Sequence, residues 1–430
     1  MKTIGIVAEY NPFHHGHAWQ IRESRRLAGE EPEHCPDAEE LRTAALPGQQ
    51  KDTAVIVVMS GDFVQRGEAA VFSKYARAEA ACRSGADLVV ELPLPWAVSS
   101  AEGFACGAVS LLASLGAETL SFGSESAEKL PEMVETAALL SDPAFTEEVK
   151  QRLRADPARS FAAARQTCAE ERTGKQLSFM QQPNNILGLE YLKAIRTMAL
   201  PITPLAVARK GAGHDEAGEN AVPSASELRL RLCRGDEIGA FTTQEAAEVF
   251  QREKTAGRIA ADRERYELLM LSRLRFLQEE DFLSLPDAGD GLGLRLYHAV
   301  QGEQSFEGIL AAASTRRCPL ARVRRMCVCA ALGLRAGDRK GLPPYARVLA
   351  FNDKGRELLH DASEKRETDP GNLIGTIPLI IKPAHVRRLD TIAQHVFELG
   401  VRAHDFHSLL YPGNEKESCG EDWRRTPAIC

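Results

Sequence analysis

The 430-residue sequence is 44% hydrophobic, yet no apolar run approaches the ~18 residues that a membrane span needs. The N-terminal MKTIGIVAEYNPF turns polar after a few apolar residues, too soon for a signal peptide. Ten cysteines are scattered, only Cys327 and Cys329 lie close together, and C-x-x-C is missing. That excludes a zinc ribbon and a dense disulfide framework, and points to reduced thiols in the cytoplasm. An excess of positive charge is also missing: the formal net charge is −7. A uniformly basic nucleic-acid coat is excluded, while a local basic patch is not. Internal repeats and low-complexity tracts are absent, and neither a membrane nor DNA is expected as a partner.

What is present is an alternation. Short apolar runs at 3–8, 53–60, 86–93, 117–124 and 202–209 read as strands, with helical segments at 17–28, 73–85, 100–116, within 127–170, and at 184–199 between them. Strands apolar on both faces, alternating with helices, predict a parallel sheet covered on both sides. The expected class is α/β with an N-terminal Rossmann-like parallel sheet over 1–240. A mainly helical region over 241–340 follows, with helices expected within 243–282 and 302–333. A small α/β part over 341–430 closes the chain, with strands at 345–352 and 376–383 and a helix near 386–399. Ser224 is an N-cap candidate for a helix over 224–235.

The stretch EYNPFHHGHAWQ (9–20) joins the first strand to the first helix. Ligands of α/β sheets sit beyond the carboxyl ends of strands. His14, Gly16 and His17 spell H-x-G-H there. Gly16 permits close backbone approach, and the following helix offers free N–H groups and the positive end of its dipole. Two imidazoles at such a place can donate to a phosphate and stabilise charge on a departing pyrophosphate. Zinc would need further ligands, and the sequence has no H-E-x-x-H and no nearby cysteine. No nucleophile elbow accompanies the histidines. His15 reads as structural, facing away.

H-x-G-H after the first strand resembles the signature of the HIGH-motif nucleotidyltransferases. Together with VMSGDFVQRGEAAVFSKYARAEAA (58–81), GADLVVELPLPWAVSSAEGFACGAVSLL (85–112), FGSE (122–125), PNNILGLEYLKAI (183–195) and ARKGAGHD (208–215), it resembles the bacterial tRNA(Met) cytidine acetate ligases. The similarity is strongest over 1–240 and continues in STRRCPLARVRRM (314–326) and GTIPLIIKP (375–383).

The resemblance implies activation of acetate with ATP to acetyladenylate, releasing pyrophosphate. The acetyl group would then pass to the wobble cytidine of elongator tRNA(Met), giving N4-acetylcytidine. It implies an ATP segment of Val7, Ala8, Glu9, Tyr10, Asn11, Pro12, Phe13, His14, His15, Gly16, His17, Ala18, Trp19 and Gln20, with His14 and His17 catalytic. Gly123, Asn184 and Arg209 would complete the nucleotide site. From the residues alone, Gly123 is equally a turn glycine, Asn184 is more simply a helix cap, and Arg209 more simply a solvated cation. Mg²⁺ is expected on the phosphates rather than in a protein cage. Asp62, Gln65, Arg66 and Glu68 are expected to face the same crevice. SASELR (224–229) resembles the serine-rich loop that closes over triphosphate. Arg322 and Arg325, on one helical face, are candidates for RNA phosphates, and KPAHVRR (382–388) is a weaker one.

Two features depart from the family pattern: Gly213 runs directly into His214, and 29–52 is longer than usual. The alternatives are another HIGH-motif enzyme that adenylates a small substrate without tRNA, and a catalytically silent RNA-binding protein.

Overall fold

The computed structural model describes residues 1–29, 53–156, 159–209, 223–368, 375–412 and 419–430. The long stretch after Gly29 and the Gly213–His214 junction therefore lie outside the described residues.

The strands are β1 (Lys2–Ala8), β2 (Thr53–Ser60), β3 (Phe63–Val64), β4 (Glu68–Ala69), β5 (Leu88–Leu92), β6 (Thr119–Ser124), β7 (Thr203–Ala208), β8 (Ala346–Phe351), β9 (Leu379–Ile380) and β10 (Ala428–Ile429). The main sheet runs β10-β8-β5-β2-β1-β6-β7, with β9 beside β8. β5, β2, β1, β6 and β7 are mutually parallel. Every residue of β2 and β5 is buried, as continuous apolar strands between two helical layers require.

The helices used below are α1 (His15–Leu27), α2 (Lys74–Arg83), α3 (Ala101–Ser114), α4 (Pro183–Thr197), α5 (Ala225–Cys233), α6 (Gln244–Thr255), α7 (Leu320–Leu332), α8 (Asp353–Thr368) and α9 (Thr391–Ser408). α3 and α4 pack one face of the sheet, and α1, α2, α5 and α6 the other. A third core gathers the helices of 263–332 around α7 and includes Phe406 and Leu410. Among the described residues no helix is long and apolar enough to cross a membrane.

The strands of 341–430 do not form a sheet of their own. β8 pairs antiparallel with β5, and β9 and β10 pair with β8, so this part extends the N-terminal sheet. Burying the edge of β5 is the physical gain, because an open edge leaves unpaired backbone groups. The strand expected over 376–383 shrinks to Leu379–Ile380, since Pro383 opens a 3₁₀ turn.

The strand order reverses between β1 and β6. Crossovers run one way from β1 to β2 and β5, and the other way to β6 and β7, which opens a crevice at the carboxyl ends of β1 and β6.

Candidate active site

That crevice is a cleft of about 570 Å³. Val7, Ala8, Glu9, Tyr10, Asn11, His14, His17 and Gln20 form its β1 side, and Gly123, Asn184 and Arg209 its far side. Of the segment expected to bind nucleotide, Pro12, Phe13, His15, Gly16, Ala18 and Trp19 stand behind this lining rather than in it. Trp19 is buried and its Nε1 lies 3.5 Å from the carbonyl of Ala208, tying α1 to β7. Phe13 packs edge-on against Tyr10, and its carbonyl accepts from Thr242 at 3.0 Å.

α1 begins at His15, two residues before the sequence pattern suggests, because His14 is itself the cap. Its Nδ1 accepts from the Gly16 N–H at 3.0 Å, while the His14 N–H donates to His17 Nδ1 at 3.3 Å. The two rings stack with centroids 3.8 Å apart. Gly16 is required for this reason first: a Cβ there would stand 2.8 Å from His14 Cε1. Burial, then the charge of Arg209, holds His14 down to about 3; burial, then His14, holds His17 well below its ordinary value. Both imidazoles are neutral at pH 7. With Nδ1 accepting in each, the proton sits on Nε2, so each ring has one N–H donor left for a ligand.

Glu9 accepts from the Gln65 N–H at 3.0 Å, and burial pushes its carboxyl up. Gln65, Arg66 and Glu68, on and around the β3–β4 hairpin, line the cleft as expected. Asp62 does not. It is fully buried, 2.9 Å from His404 Nδ1, and caps α2 by accepting from the Lys74 N–H at 2.7 Å.

Asn184 is not a cap. It stands inside the first turn of α4, whose N–H groups at 184 and 185 are capped from outside by the Glu125 carboxylate. Asn184 donates to Glu125 at 2.5 Å and accepts from Arg209 at 3.1 Å, so FGSE, PNN and Arg209 form one assembly. At Gly123 a Cβ would meet only the Arg209 side chain, with Cγ at an ordinary 3.5 Å. The protein leaves room there, and any side chain would project into the cleft.

Several lining residues lie in recognised motifs but were not singled out by sequence. Phe104, Phe122, Ile186, Leu187 and Tyr191 make an apolar wall from α3, β6 and α4. Ser224 caps α5 by accepting from the Glu227 N–H at 3.3 Å. Ser226 and Arg229 also face the cleft, and Arg229 donates to the carbonyl of Asn11 at 2.9 Å and to Ser226 Oγ at 3.0 Å. The serine–arginine spacing of SASELR was the available signal.

The RNA candidates separate. Arg322 is engaged by a neighbouring loop, donating to the Asp287 carbonyl at 2.8 Å and to Asp290 at 3.3 Å. Arg325 is half-buried, and its Nε has no acceptor. The 3₁₀ turn Pro383–Arg388, exposed at Arg387 and Arg388, lies outside the cleft lining.

A family model described as HIGH Nucleotidyl Transferase matches residues 1–33 and 44–422. The tRNA(Met) cytidine acetate ligase of Acetivibrio thermocellus is 30% identical across all of both chains; that of Syntrophotalea carbinolica is 33% identical over 99% of this chain and 98% of its own. The chain belongs to the tRNA(Met) cytidine acetate ligase family of HIGH nucleotidyl transferases. Among solved structures, Thermotoga maritima TmcAL in its apo form is 27% identical, with a TM-score of 0.86 over 100% of this chain and 99% of that one. The same protein bound with alpha-thio ATP superposes with a TM-score of 0.83. A ligase of this family must hold a polyanionic nucleotide, and the lining cations Arg66, Arg209 and Arg229 around two neutral imidazole donors suit one.

Proposed function

We propose that this protein activates acetate with ATP to acetyladenylate and transfers the acetyl group to the wobble cytidine of elongator tRNA(Met). The observation that carries the reading is the neutral His14–His17 stack at the head of α1, inside a cleft that also presents Arg209 and the capped serine loop. It is supported by full-length relatives that bear this enzyme's name and by the ATP-analogue complex of the Thermotoga protein.

In the first step an acetate oxygen attacks the α-phosphorus, and the bond to pyrophosphate breaks. Charge accumulates on the departing group, where two Nε2–H donors can follow it without releasing protons. The apolar wall of Phe104, Phe122 and Tyr191 suits a base, and the Asn184–Arg209 pair beside Gly123 suits the sugar–phosphate end. Mg²⁺ fits as a passenger on the phosphates and would spread their charge. The cleft lining offers three arginines against two carboxylates, and one of these, Glu68, is engaged by Arg324 at 2.7 Å. In the second step the cytidine amine attacks the acetyl carbonyl, a C–N bond forms, the C–O bond to AMP breaks, and the amine gives up a proton.

Incubation with ATP, acetate and elongator tRNA(Met), followed by nucleoside mass analysis, tests the reading. N4-acetylcytidine that depends on all three is expected. Its absence with competent tRNA would overturn the assignment.

A further inference from the structure

α3 starts against the cleft, where Ala101 and Phe104 form part of the wall, with Ser100 as its cap. A helix start is the positive end of the dipole and ordinarily attracts a carboxylate. Here it carries a cation. A Cβ on Gly103 would stand 2.5 Å from Arg339 Nη1 and 3.0 Å from its Cζ, so the guanidinium lies on the first turn. That Nη1 is buried and has no acceptor. The same is true of Nε of Arg325, on α7. The α7 backbone at Arg324 and Arg325 abuts Gly67, in the hairpin that brings Gln65 and Arg66 to the cleft.

Neither guanidinium forms a hydrogen bond or ion pair with a described residue, and the carboxylates of Glu102, Asp338 and Glu68 are engaged elsewhere. Glu102 accepts from Lys193 at 3.2 Å. Asp338 meets the Arg335 N–H at 2.7 Å and His395 at 3.0 Å. Glu68 holds Arg324. Burial disfavours the charge on Arg325; Asp287, the strongest charge acting on it, offsets this only in part without forming a hydrogen bond, and the like charges of Arg322 and Arg339 add to the cost. Each guanidinium thus keeps one buried N–H without an acceptor, and the one carboxylate acting on Arg325 does not reach it, an arrangement that an arriving anion would relieve.

We propose that Arg325 and Arg339 form a phosphate subsite that takes a backbone phosphodiester of the RNA substrate, next to the nucleoside being acetylated. The inference rests on the function proposed above for its choice of RNA. The sheet order supports that choice. The hairpin and α3 follow β2 and β5, whereas Gly123 lies at the end of β6, and Asn184 and Arg209 follow β6 and β7, on the other side of β1. The acceptor strand would then enter opposite the nucleotide's anchor, passing the exposed Arg66 at the lip.

The test is equilibrium binding of an elongator tRNA(Met) transcript across a KCl series, for wild type, Arg325→Gln, Arg339→Gln and Arg339→Lys. Each Gln variant should weaken binding and lower the slope of log affinity against log salt by about one. Arg339→Lys should keep most of the slope. Thermal stability of the free protein should hold or rise in the Gln variants, because each removes a guanidinium whose buried N–H has no acceptor. Unchanged tRNA affinity and slope would overturn the proposal. So would a matching loss of ATP affinity, which would give the site to the nucleotide's phosphates, or a stability loss in all three variants, which would make the arginines structural. Because tRNA binding is read without turnover, failure of acetylation would sink the proposed function and leave this result legible.

Discussion

His14 and His17 show how two ionisable side chains are made into fixed, neutral donors. Each gives its Nδ1 to a backbone N–H of the same turn, and stacking and burial keep protons off that nitrogen. The usual titration of histidine near neutrality is thereby removed. Acetate-dependent ATP–pyrophosphate exchange should show no histidine step between roughly pH 7.5 and 5.5; an acid limb with a midpoint near 6.5 would contradict the tautomers assigned here. The same shift acts on stability with a definite sign. A folded value of about 3 for His14, against an ordinary 6.5, means that the unfolded chain binds the extra proton between those values. The contribution to stability is fully present above 6.5 and is lost as pH falls toward 3. His17→Ala should lower acetate-dependent AMP formation by about 10²–10³-fold, the usual cost of one lost charge-stabilising donor, with tRNA affinity retained. Near-normal AMP formation would remove His17 from the chemistry.

The β3–β4 hairpin is the element that connects the cleft to the helical region. Gly67 at its tip has φ +73° and lies so close to α7 that a Cβ would stand 2.4 Å from the Arg325 nitrogen. Gly67→Ala should therefore cost about 1–3 kcal/mol through strain and displacement. It should also speed hydrogen exchange at the Gln65 amide, whose bond to Glu9 depends on where the hairpin sits. Unchanged exchange would show that the hairpin is held by other contacts. The hairpin also marks where sequence reading stops. TAVIVVMS predicts β2 at its observed limits, because a continuous β-branched run has few other uses. H-x-G-H at a strand end locates the cleft for a similar reason: the local pattern and the sheet topology agree. Asp62 and Glu68 are alike in sequence, both acidic and six residues apart in one loop. Only tertiary packing sends the first into the core and the second to the cleft. The pairing of β8 with β5, the Glu125 cap on α4, and the placement of Arg339 against the start of α3 are likewise long-range facts with no local periodicity.

At the scale of the molecule, a buried charge network sews the C-terminal part to the catalytic sheet. Lys74, on α2, lies 2.9 Å from Glu91 of β5 and 2.6 Å from Asp422. Arg347 of β8 meets the same Asp422 oxygen at 2.7 Å, Tyr75 donates to the other at 2.6 Å, and His404 of α9 holds Asp62. All the charged members are buried, so their desolvation has to be offset by partners, and removal of one leaves others uncompensated. Arg77 does comparable work beneath the cleft, donating to the carbonyls of Glu9, Ser60, Gly61 and Phe72 and so fixing the ends of β1 and β2 relative to each other. Asp422 is where the network joins the last residues of the chain to α2. Asp422→Ala should destabilise the protein by about 3–5 kcal/mol, because it strands Lys74 and Arg347. The neighbouring charges of Arg347 and Lys74 outweigh burial and hold the Asp422 carboxyl below the usual carboxylate range. A depressed folded value gives stability that is present above the unfolded value of about 3.9 and is lost as pH falls through the folded one. Thermal unfolding of wild type should therefore weaken steeply below about pH 4, and Asp422→Asn, already uncharged, should start lower at pH 7 and lose less over that range. Equal acid sensitivity in the two proteins would show that the C-terminal part is joined to the sheet by something other than this carboxylate.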